Sequence, residues 1–254
     1  MNKKEPAILE YLISNPPSPH LSETEVENDK YLENSLLSES AKQTLGEGGY
    51  HCYGIEPQLA EFIYDNVDPG FYTLETGAGL STLVFALCRS KHICITPSKT
   101  EVDIIKTYGV KNNIDLGNVT FIHQGSEDYL PQLKANIDIV LLDGKHAFPW
   151  PFIDWFYSSR ILKTGGQLIL DDINIEPVCI IKNFMLEDNN WSLHKFFDKS
   201  CVFIKTGSNI HDTAWHMQPY VMNRYRQKDM ILNIIINKLN SYLRKFEKLI
   251  NKES

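Results

Sequence analysis

The run of residues that organises this chain is Phe71-Tyr-Thr-Leu-Glu75-Thr-Gly77-Ala-Gly79-Leu-Ser81-Thr-Leu-Val-Phe85-Ala-Leu87. It begins with a β-type segment over residues 71–74, passes through a glycine turn and continues as an apolar, helix-like segment. A strand, a glycine turn and a helix in this order bring the backbone against a nucleotide-like ligand at the carboxyl end of the strand. Gly77 and Gly79 lack a Cβ atom, so they leave room for the ligand and permit unusual backbone angles.

Two polar side chains flank this turn. Glu75 places an acceptor-only carboxylate at the tip of the strand, and Ser81 is predicted to cap the helix that follows. Glu-x-Gly-x-Gly alone is a weak signal, since many glycine pairs only close the turn between a strand and a helix. The rest of the chain has to decide between these two interpretations.

Composition bounds the class of protein. The 254 residues suffice for one α/β domain with appendages, and a net charge of −7 gives no reason to expect nucleic acid as a partner. Five scattered cysteines without a C-x-x-C pair predict reduced thiols and a cytoplasmic location. No segment approaches the ~20 apolar residues of a membrane span, and Glu10 interrupts the apolar run 7–13, which argues against a signal peptide.

From residue 71 onward the chain alternates between strand-like and helix-like patterns. Strands are predicted at residues 71–74, 92–95, 118–122, 137–142 and 167–170, with helices between them. Gly165-Gly166 are predicted to end the helix that precedes the fifth strand. Two further runs, 191–197 and 201–205, lie so close together that they require an antiparallel hairpin. We therefore predict an α/β fold with a mostly parallel, seven-stranded sheet, a terminal antiparallel hairpin and helices on both faces.

The chain is predicted to have three parts. They are an N-terminal arm and helix (1–50), the α/β domain (51–208) and a C-terminal helical extension (209–254). In the arm, Asn15-Pro-Pro-Ser-Pro-His20 is typical of a linker, and Ser22 with Glu25 forms a capping box that opens a polar helix. Gly46-Glu-Gly-Gly49 is a break before the domain, either a plain loop or a lid over the ligand.

Over roughly residues 56–206 this layout resembles the class I methyltransferases that use S-adenosylmethionine. It is most similar to a bacterial group of small-molecule O-methyltransferase-like proteins (the methyltransferase family 24 type), because Asp143-Gly-Lys-His146 follows the fourth strand and Asp171-Asp172 follows the fifth. The resemblance implies a Rossmann-like fold and S-adenosylmethionine as the cofactor. It does not imply which molecule accepts the methyl group.

The resemblance also implies which residues bind the cofactor. They are Glu75, Thr76, Gly77, Gly79 and Ser81 at the methionyl end, Thr96 after the second strand, Gly125, Ser126 and Glu127 against the adenine, and Asp143 after the fourth strand. The family usually has an acid after the second strand that grips the ribose, whereas this chain has Ile95-Thr-Pro-Ser98 there. Either the hydroxyls of Thr96 and Ser98 replace that acid, or Glu101 reaches back from the next helix.

Transfer of a methyl group to a hydroxyl requires a base near the acceptor. His146 is predicted to be that base, with Asp143 beside it, because imidazole titrates near neutral pH. The alternative is that His146 caps or packs the helix that begins near Pro149. Related O-methyltransferases bind Mg²⁺ with acids at these strand ends, and the resemblance implies Asp143, Asp171 and Asp172 as its ligands here. Alternatively, Asp171 caps a helix or positions the cofactor.

The C-terminal extension carries a long apolar stripe. Its residues are Leu232, Ile235, Ile236, Leu239, Tyr242, Leu243, Phe246, Leu249 and Ile250. This 3–4 spacing predicts an amphipathic helix that either forms a homo-oligomer or docks back onto the domain. Binding to a membrane surface is less favoured because of Glu247 and Glu253.

We therefore predict a methyltransferase that uses S-adenosylmethionine to O-methylate a small molecule or sugar. One alternative is a non-catalytic binding or assembly module with the same fold. The other is an NAD(P)-dependent oxidoreductase, whose fingerprint needs Gly-x-Gly-x-x-Gly and an acid after the second strand. Here Thr82 stands where the third glycine would be, and the acid is missing.

Overall fold

The computed structural model describes residues 6–17, 55–208 and 213–250. The predicted capping box at Ser22 and the glycine break at residues 46–49 lie outside these ranges. The helices are α1 (Pro6–Ser14), α2 (Pro57–Asn66), α3 (Leu80–Leu87), α4 (Lys99–Lys111), α5 (Ser126–Tyr129), α6 (Trp150–Ile161), α7 (Glu176–Glu187) and α8 (Pro219–Ile250). The strands are β1 (Tyr72–Thr76), β2 (Lys91–Ile95), β3 (Val119–Ile122), β4 (Ile137–Leu142), β5 (Leu162–Leu170), β6 (Trp191–Phe196) and β7 (Cys201–Lys205).

The strands form a seven-stranded sheet in the order β3-β2-β1-β4-β5-β7-β6. Strands β1 to β5 are parallel, while β7 is antiparallel to both β5 and β6. The predicted fold is therefore confirmed. Because parallel strands end at the same edge of a sheet, the loops after β1 to β5 meet there, which is where open α/β sheets bind ligands.

Both faces of this sheet are buried. In β4, Ile139 and Leu141 belong to one apolar cluster, whereas Val140 and Leu142 belong to the other. Side chains of a strand alternate between the two faces, so a nearly all-apolar strand is stable only when helices cover both sides. Here α2 and α3 cover one face, and α7 covers the other.

The glycine pair before the fifth strand has a different role from the one predicted. Helix α6 ends at Ile161 and β5 begins at the next residue, so Gly165-Gly166 lie inside the strand. Gly165 has a φ of +83°, and the register between β4 and β5 shifts between Ile137 and Ile139. Gly165-Gly166 therefore accommodate the irregular pairing of β5 with β4 and do not end a helix.

The structure adds a helix where the sequence predicts an arm. In α1, Leu9 and Leu12 are buried and join the same apolar cluster as α2 and α3. The Tyr108 hydroxyl donates a hydrogen bond to the carbonyl of Asn15 and ties the end of this helix to α4. Residues 6–14 therefore belong to the core of the domain, and the boundary at residue 50 stays a prediction.

Helix α8 extends beyond the sheet. Its first turns contact α7, where Arg224 donates a hydrogen bond to Glu187 at 2.7 Å. Farther along, six apolar side chains are 43–67% exposed: Ile231, Leu232, Ile235, Ile236, Leu239 and Tyr242. These residues do not dock back onto the domain. None of the helices in the described ranges combines the length and apolarity that a bilayer crossing needs.

Candidate active site

The glycine turn after β1 is pressed against the loop after β4. Gly77 has a φ of +90°, and a Cβ atom built on it would lie 2.1 Å from the carbonyl oxygen of Asp143. The amide of Gly77 donates a hydrogen bond to Ile95, and that of Asp143 donates to Thr76. Gly79 has an extended φ of −173°, so only Gly77 uses the left-handed region that favours glycine.

The Glu75 carboxylate points into the protein rather than toward open space. The residue is 1% exposed, and its Oε2 accepts a hydrogen bond from Ser81 Oγ at 2.6 Å. Its Oε1 accepts a hydrogen bond from Thr82 and lies 3.1 Å from Nε2 of His92. The cap of α3 is Gly79, so the prediction that Ser81 caps this helix is wrong. Ser81 holds Glu75 instead.

A carboxylate of the next helix lies at the end of β2, where the sequence has no acid. Thr96 Oγ1 donates a hydrogen bond of 2.7 Å to Oε2 of Glu101. Ser98 caps α4 by accepting a hydrogen bond from the Glu101 amide. Of the alternatives that the sequence leaves open, Glu101 therefore does reach back. A small pocket lies between the glycine turn and α4, and it is lined by Pro17, Ala78, Gly79, Glu101, Ile104 and Ile105.

The turn after β3 begins a short helix. Gly125 is the N-cap of α5, Ser126 is half-buried and Glu127 is exposed. The Glu127 carboxylate folds over Gly125, because a Cβ atom on that glycine would lie 2.5 Å from Glu127 Oε2. These residues lie at the predicted edge of the sheet, and their contact with adenine stays a prediction.

Asp154 is a buried carboxyl group that the sequence analysis missed. It lies on α6 and is 2% exposed, beneath Gly144, where a Cβ atom would approach its Oδ2 to 3.2 Å and Thr76 Oγ1 to 3.0 Å. Burial raises the pKa of Asp154 to about 6, although the hydroxyls of Ser126 and Thr76 counteract this rise. The available signal was an acidic residue within the aromatic stretch Phe152–Phe156.

Three titratable side chains meet at the ends of β4 and β5. The His146 Nε2 atom is 3.7 Å from Asp143 Oδ1, and its Nδ1 atom is 3.6 Å from Asp172 Oδ2. Burial lowers the pKa of His146, while the negative charge of Asp172 counteracts that shift. Burial and the neighbouring acids Asp171 and Asp172 raise the pKa of Asp143 well above its usual range.

Within the described ranges, one group of side chains has donor atoms close enough to hold a metal ion. It consists of Asp143, His146 and Asp172, whose donor atoms lie within 4.8 Å of one another. Asp171, which was predicted as a ligand, is not in this group and is 7% exposed. Burial and the Asp172 charge raise the pKa of Asp171 to about 7. In the structure, His146 rather than Asp171 therefore stands beside Asp143 and Asp172 in this group.

Comparison with known proteins identifies the domain. Residues 74–173, from β1 to just beyond Asp171-Asp172, match a family model described as a methyltransferase domain. This chain carries a methyltransferase domain. No curated protein matches this chain by sequence.

Two solved structures have the fold of this methyltransferase domain. The cofactor-bound structure of Rv0187 from MTB has a TM-score of 0.53 and 14% identity, and the match covers 70% of this chain and 95% of that one. A candidate caffeoyl-CoA O-methyltransferase from Staphylococcus aureus has a TM-score of 0.52 and 15% identity, and the match covers 70% of this chain and 99% of that one. At these identities the likeness shows the fold alone. The chain thus has the class I methyltransferase fold, and the family model that residues 74–173 match is that of a methyltransferase rather than of an NAD(P)-dependent oxidoreductase.

Proposed function

We propose that this methyltransferase domain transfers the methyl group of S-adenosylmethionine to a hydroxyl oxygen of a small molecule or sugar. The observation that carries the proposal is the position of His146, whose two ring nitrogens each face a carboxylate, those of Asp143 and Asp172. A neutral hydroxyl is a poor nucleophile until a base removes its proton. An imidazole held between two carboxylates at the ligand-binding edge of the sheet suits that task.

The proposed reaction is an in-line displacement. A ring nitrogen of His146 accepts the proton of the acceptor hydroxyl while its oxygen forms a bond to the methyl carbon. The bond between that carbon and the sulfonium sulfur breaks, and its electron pair stays on sulfur, which gives S-adenosylhomocysteine and a methyl ether. The protonated His146 is stabilised by Asp143 and Asp172 until it releases its proton to solvent. Alignment of the reactants supplies much of the acceleration.

The cofactor is proposed to lie along the strand ends. The backbone at Gly77 and Gly79 would hold its methionyl part, and residues 125–127 would lie against the adenine. Glu101, positioned by Thr96, would bind the ribose hydroxyls in place of the usual strand-end acid. Glu75 and Ser81 support the turn from inside the protein rather than touching the cofactor.

A metal ion would suit part of this site. The donor set of Asp143, His146 and Asp172 contains two carboxylates and one imidazole, a mixture that fits Mn²⁺ or Zn²⁺ as well as Mg²⁺, which prefers oxygen ligands. Burial and then the neighbouring acids Asp171 and Asp172 raise the pKa of Asp143, so a cation there would relieve the repulsion between carboxylates. When bound, such an ion would lower the pKa of the acceptor hydroxyl. His146 would then serve as a ligand instead of a base.

Calorimetric titration with S-adenosylmethionine, S-adenosylhomocysteine and NAD⁺ tests the cofactor. Binding of both sulfur compounds but not of NAD⁺ supports the proposal, whereas binding of neither favours a non-catalytic module. Radiolabelled S-adenosylmethionine with a panel of sugars, phenols and amines then tests the acceptor. Labelling of amines alone would exclude O-methylation.

His146 itself is tested by comparison with an exposed histidine. His146→Ala should lower turnover by about 10²-fold or more if the side chain is the base, with cofactor affinity retained, and His123→Ala should have no effect. Full turnover in His146→Ala would remove His146 from the mechanism. Loss of wild-type turnover after treatment with EDTA, restored by a divalent cation, would favour the metal-bound alternative.

We further propose that α8 pairs with α8 of a second copy of this chain. Over residues 232–250 the apolar stripe occupies positions a, d and e of successive heptads, starting with Leu232 at a and Ile235 at d. The described part of this stripe is exposed in the single chain, and exposed apolar stripes of this length are typical of interfaces.

The charge pattern favours a parallel pair. Lys238 and Lys245 occupy the g positions, while the e positions hold Ile236, Leu243 and Ile250. In a parallel pair each g residue faces an e residue of the partner, so the lysine stems would cover apolar side chains. In an antiparallel pair the g positions face each other and the lysines would repel. A membrane surface is the alternative partner of this stripe.

A further inference from the structure

Beneath the glycine turn, Glu75 and His92 form a fully buried pair on neighbouring strands. Their side chains are 1% and 0% exposed, and His92 Nε2 lies 3.1 Å from Glu75 Oε1. Thr73 lies opposite His92 in the β1–β2 register, and Glu75, two residues farther on, is on the same face of the sheet. Phe85 of α3 stacks on the imidazole with ring centroids 4.4 Å apart. The pair is thus enclosed between the sheet and the helix that follows the turn.

The hydrogen bonds on one side of the imidazole place a proton on Nδ1. Ser90 Oγ donates its single proton to the carbonyl of Phe85. In its contact of 2.8 Å with Thr73, Ser90 is therefore the acceptor and Thr73 is the donor. Thr73 has no second proton, so in its contact of 2.8 Å with His92 Nδ1 it must accept. The imidazole nitrogen Nδ1 consequently carries a proton.

The other side of the imidazole faces a carboxylate that already accepts from two hydroxyls. Ser81 and Thr82 both donate to Glu75, and donors of this kind stabilise the ionised form of a carboxyl group. With a neutral imidazole, the ionised Glu75 carboxylate would have no compensating charge beside it in a fully buried site, which is unfavourable. The contact has the length of an ion pair, although its direction does not meet that of a hydrogen bond. A proton on Nε2, in addition to the one on Nδ1, supplies the compensating positive charge.

We propose that His92 is a positioning residue for the cofactor turn, held as an imidazolium that neutralises the buried Glu75 carboxylate. The inference rests on the proposed function in that it takes the turn to bind S-adenosylmethionine. Glu75 acts on the turn through Thr82, whose hydroxyl accepts a hydrogen bond from the amide of Gly79 at 3.1 Å. His92, Glu75 and Thr82 thus form a continuous connection from the middle of β2 to the backbone of the turn.

Among the described residues, Cys94 is a further titratable side chain close to the pair. Cys94 Sγ lies 3.8 Å from Thr82 Oγ1 and donates to the carbonyl of Gly77. Burial and then the negative charge of Glu75 raise the pKa of Cys94 well above its usual range. Because the thiol stays neutral, His92 is the group in this contact shell that can compensate the Glu75 charge.

The protonation state can be measured without any ligand. In the full chain labelled with ¹⁵N histidine, nitrogen-detected NMR at about pH 7.5, above the usual titration range of imidazole, should show both His92 nitrogens in the protonated, pyrrole-like range. The signals are assigned by comparison with His92→Phe. A His92 nitrogen in the unprotonated, pyridine-like range would overturn the proposal. This result does not depend on whether the chain binds S-adenosylmethionine.

A double-mutant cycle tests the consequence for the turn. His92→Phe keeps a flat ring against Phe85 but leaves Glu75 uncompensated, so affinity for S-adenosylmethionine should fall by about tenfold or more, with turnover at saturating cofactor nearly unchanged. Adding Glu75→Gln removes the uncompensated charge and should restore much of the lost affinity and melting temperature. Purely additive effects on melting temperature would contradict the proposal. An absence of cofactor binding by the wild type would count against the proposed function alone.

Discussion

Thr96 and Glu101 are joined by a hydrogen bond of 2.7 Å at the carboxyl end of β2. Glu101 belongs to the first turn of α4, and its carboxylate turns back to the strand end. Ser98 caps the helix, since its Oγ accepts a hydrogen bond of 3.2 Å from the Glu101 amide, and this holds the Glu101 backbone in place. An acid can therefore reach the place where the ribose is expected without standing at the end of the strand. Glu101 also lines the same small pocket as Gly79.

Glu101→Gln should weaken binding of S-adenosylmethionine by about tenfold or more, because a carboxylate accepts stronger hydrogen bonds from hydroxyls than an amide does. Turnover at saturating cofactor should change little. Calorimetric titration measures the effect, and Asp103→Asn is the matched control, since Asp103 is an exposed acid on the same helix. Equal affinity in both variants would mean that Glu101 does not touch the cofactor.

Gly77→Ala should abolish cofactor binding while the sheet stays folded. The new Cβ atom would lie 2.1 Å from the Asp143 carbonyl oxygen, so the loops after β1 and β4 would have to separate. Gly70→Ala is the control, because Gly70 has a φ of +93° and a Cβ atom there meets nothing within 4 Å. The control isolates backbone strain, which costs on the order of 1 kcal/mol.

Circular dichroism and titration with S-adenosylmethionine distinguish the two effects of Gly77→Ala. Both glycine variants should keep the far-ultraviolet spectrum of the wild type, and only Gly77→Ala should lose the ligand. If both variants bind the cofactor normally, the turn is not part of the binding site. If both lose it, strain alone explains the loss and the contact with Asp143 is irrelevant.

Asp154→Asn should change how stability depends on pH. Burial raises the pKa of Asp154 from 3.8 to about 6, so the folded protein holds this proton more tightly than the unfolded chain does. That contribution to stability is fully present below the unfolded pKa and is lost as the pH rises through about 6. Asparagine cannot ionise and does not undergo this loss.

Denaturant unfolding of wild type and Asp154→Asn at several pH values measures this effect. The free energy of unfolding of the variant relative to the wild type should increase by on the order of 1–3 kcal/mol between about pH 4 and pH 7.5. Comparison of the two proteins removes the contributions of Asp143 and Asp171, which are common to both. A difference that does not vary with pH would show that Asp154 titrates normally.

The apolar stripe of α8 can be tested by changes of equal charge on opposite sides of the helix. Ile235→Glu with Leu239→Glu places two acids in the exposed stripe and should convert a dimer to a monomer, since buried unpaired charges oppose association. Asn237→Glu with Asn240→Glu makes the same charge change outside the stripe and should leave the dimer intact. Analytical ultracentrifugation measures the mass of each protein. A monomeric wild type that binds anionic vesicles would favour a membrane surface instead.

Local sequence patterns were sufficient to predict most of the secondary structure. Strand β4 begins and ends at the predicted residues, Ile137 and Leu142, because its uninterrupted apolar run has one stable environment. Gly165-Gly166 were misread because a glycine pair permits both a helix end and an irregular strand. Only the pairing of β5 with β4 decides between these.

The candidate site could be predicted only in part. The sequence places Asp143, His146 and Asp172 at two strand ends, and parallel pairing then brings them together. It gave no reason to connect His92 with Glu75, which are 17 positions apart, because their contact depends on which residues of β1 and β2 share a face. Asp154 was missed for a similar reason, since only the packing of α6 against Gly144 shows that it is buried.

By itself, the amino-acid sequence determined the order of strands and helices and the edge of the sheet at which polar residues gather. Both follow from short-range periodicity and from the rule that parallel strands end together. The tertiary structure alone decided which carboxylates lie at the strand ends and which are enclosed. Glu75 turned inward and Glu101 turned toward the strand end because burial and hydrogen bonding are set by neighbours that are distant in the chain.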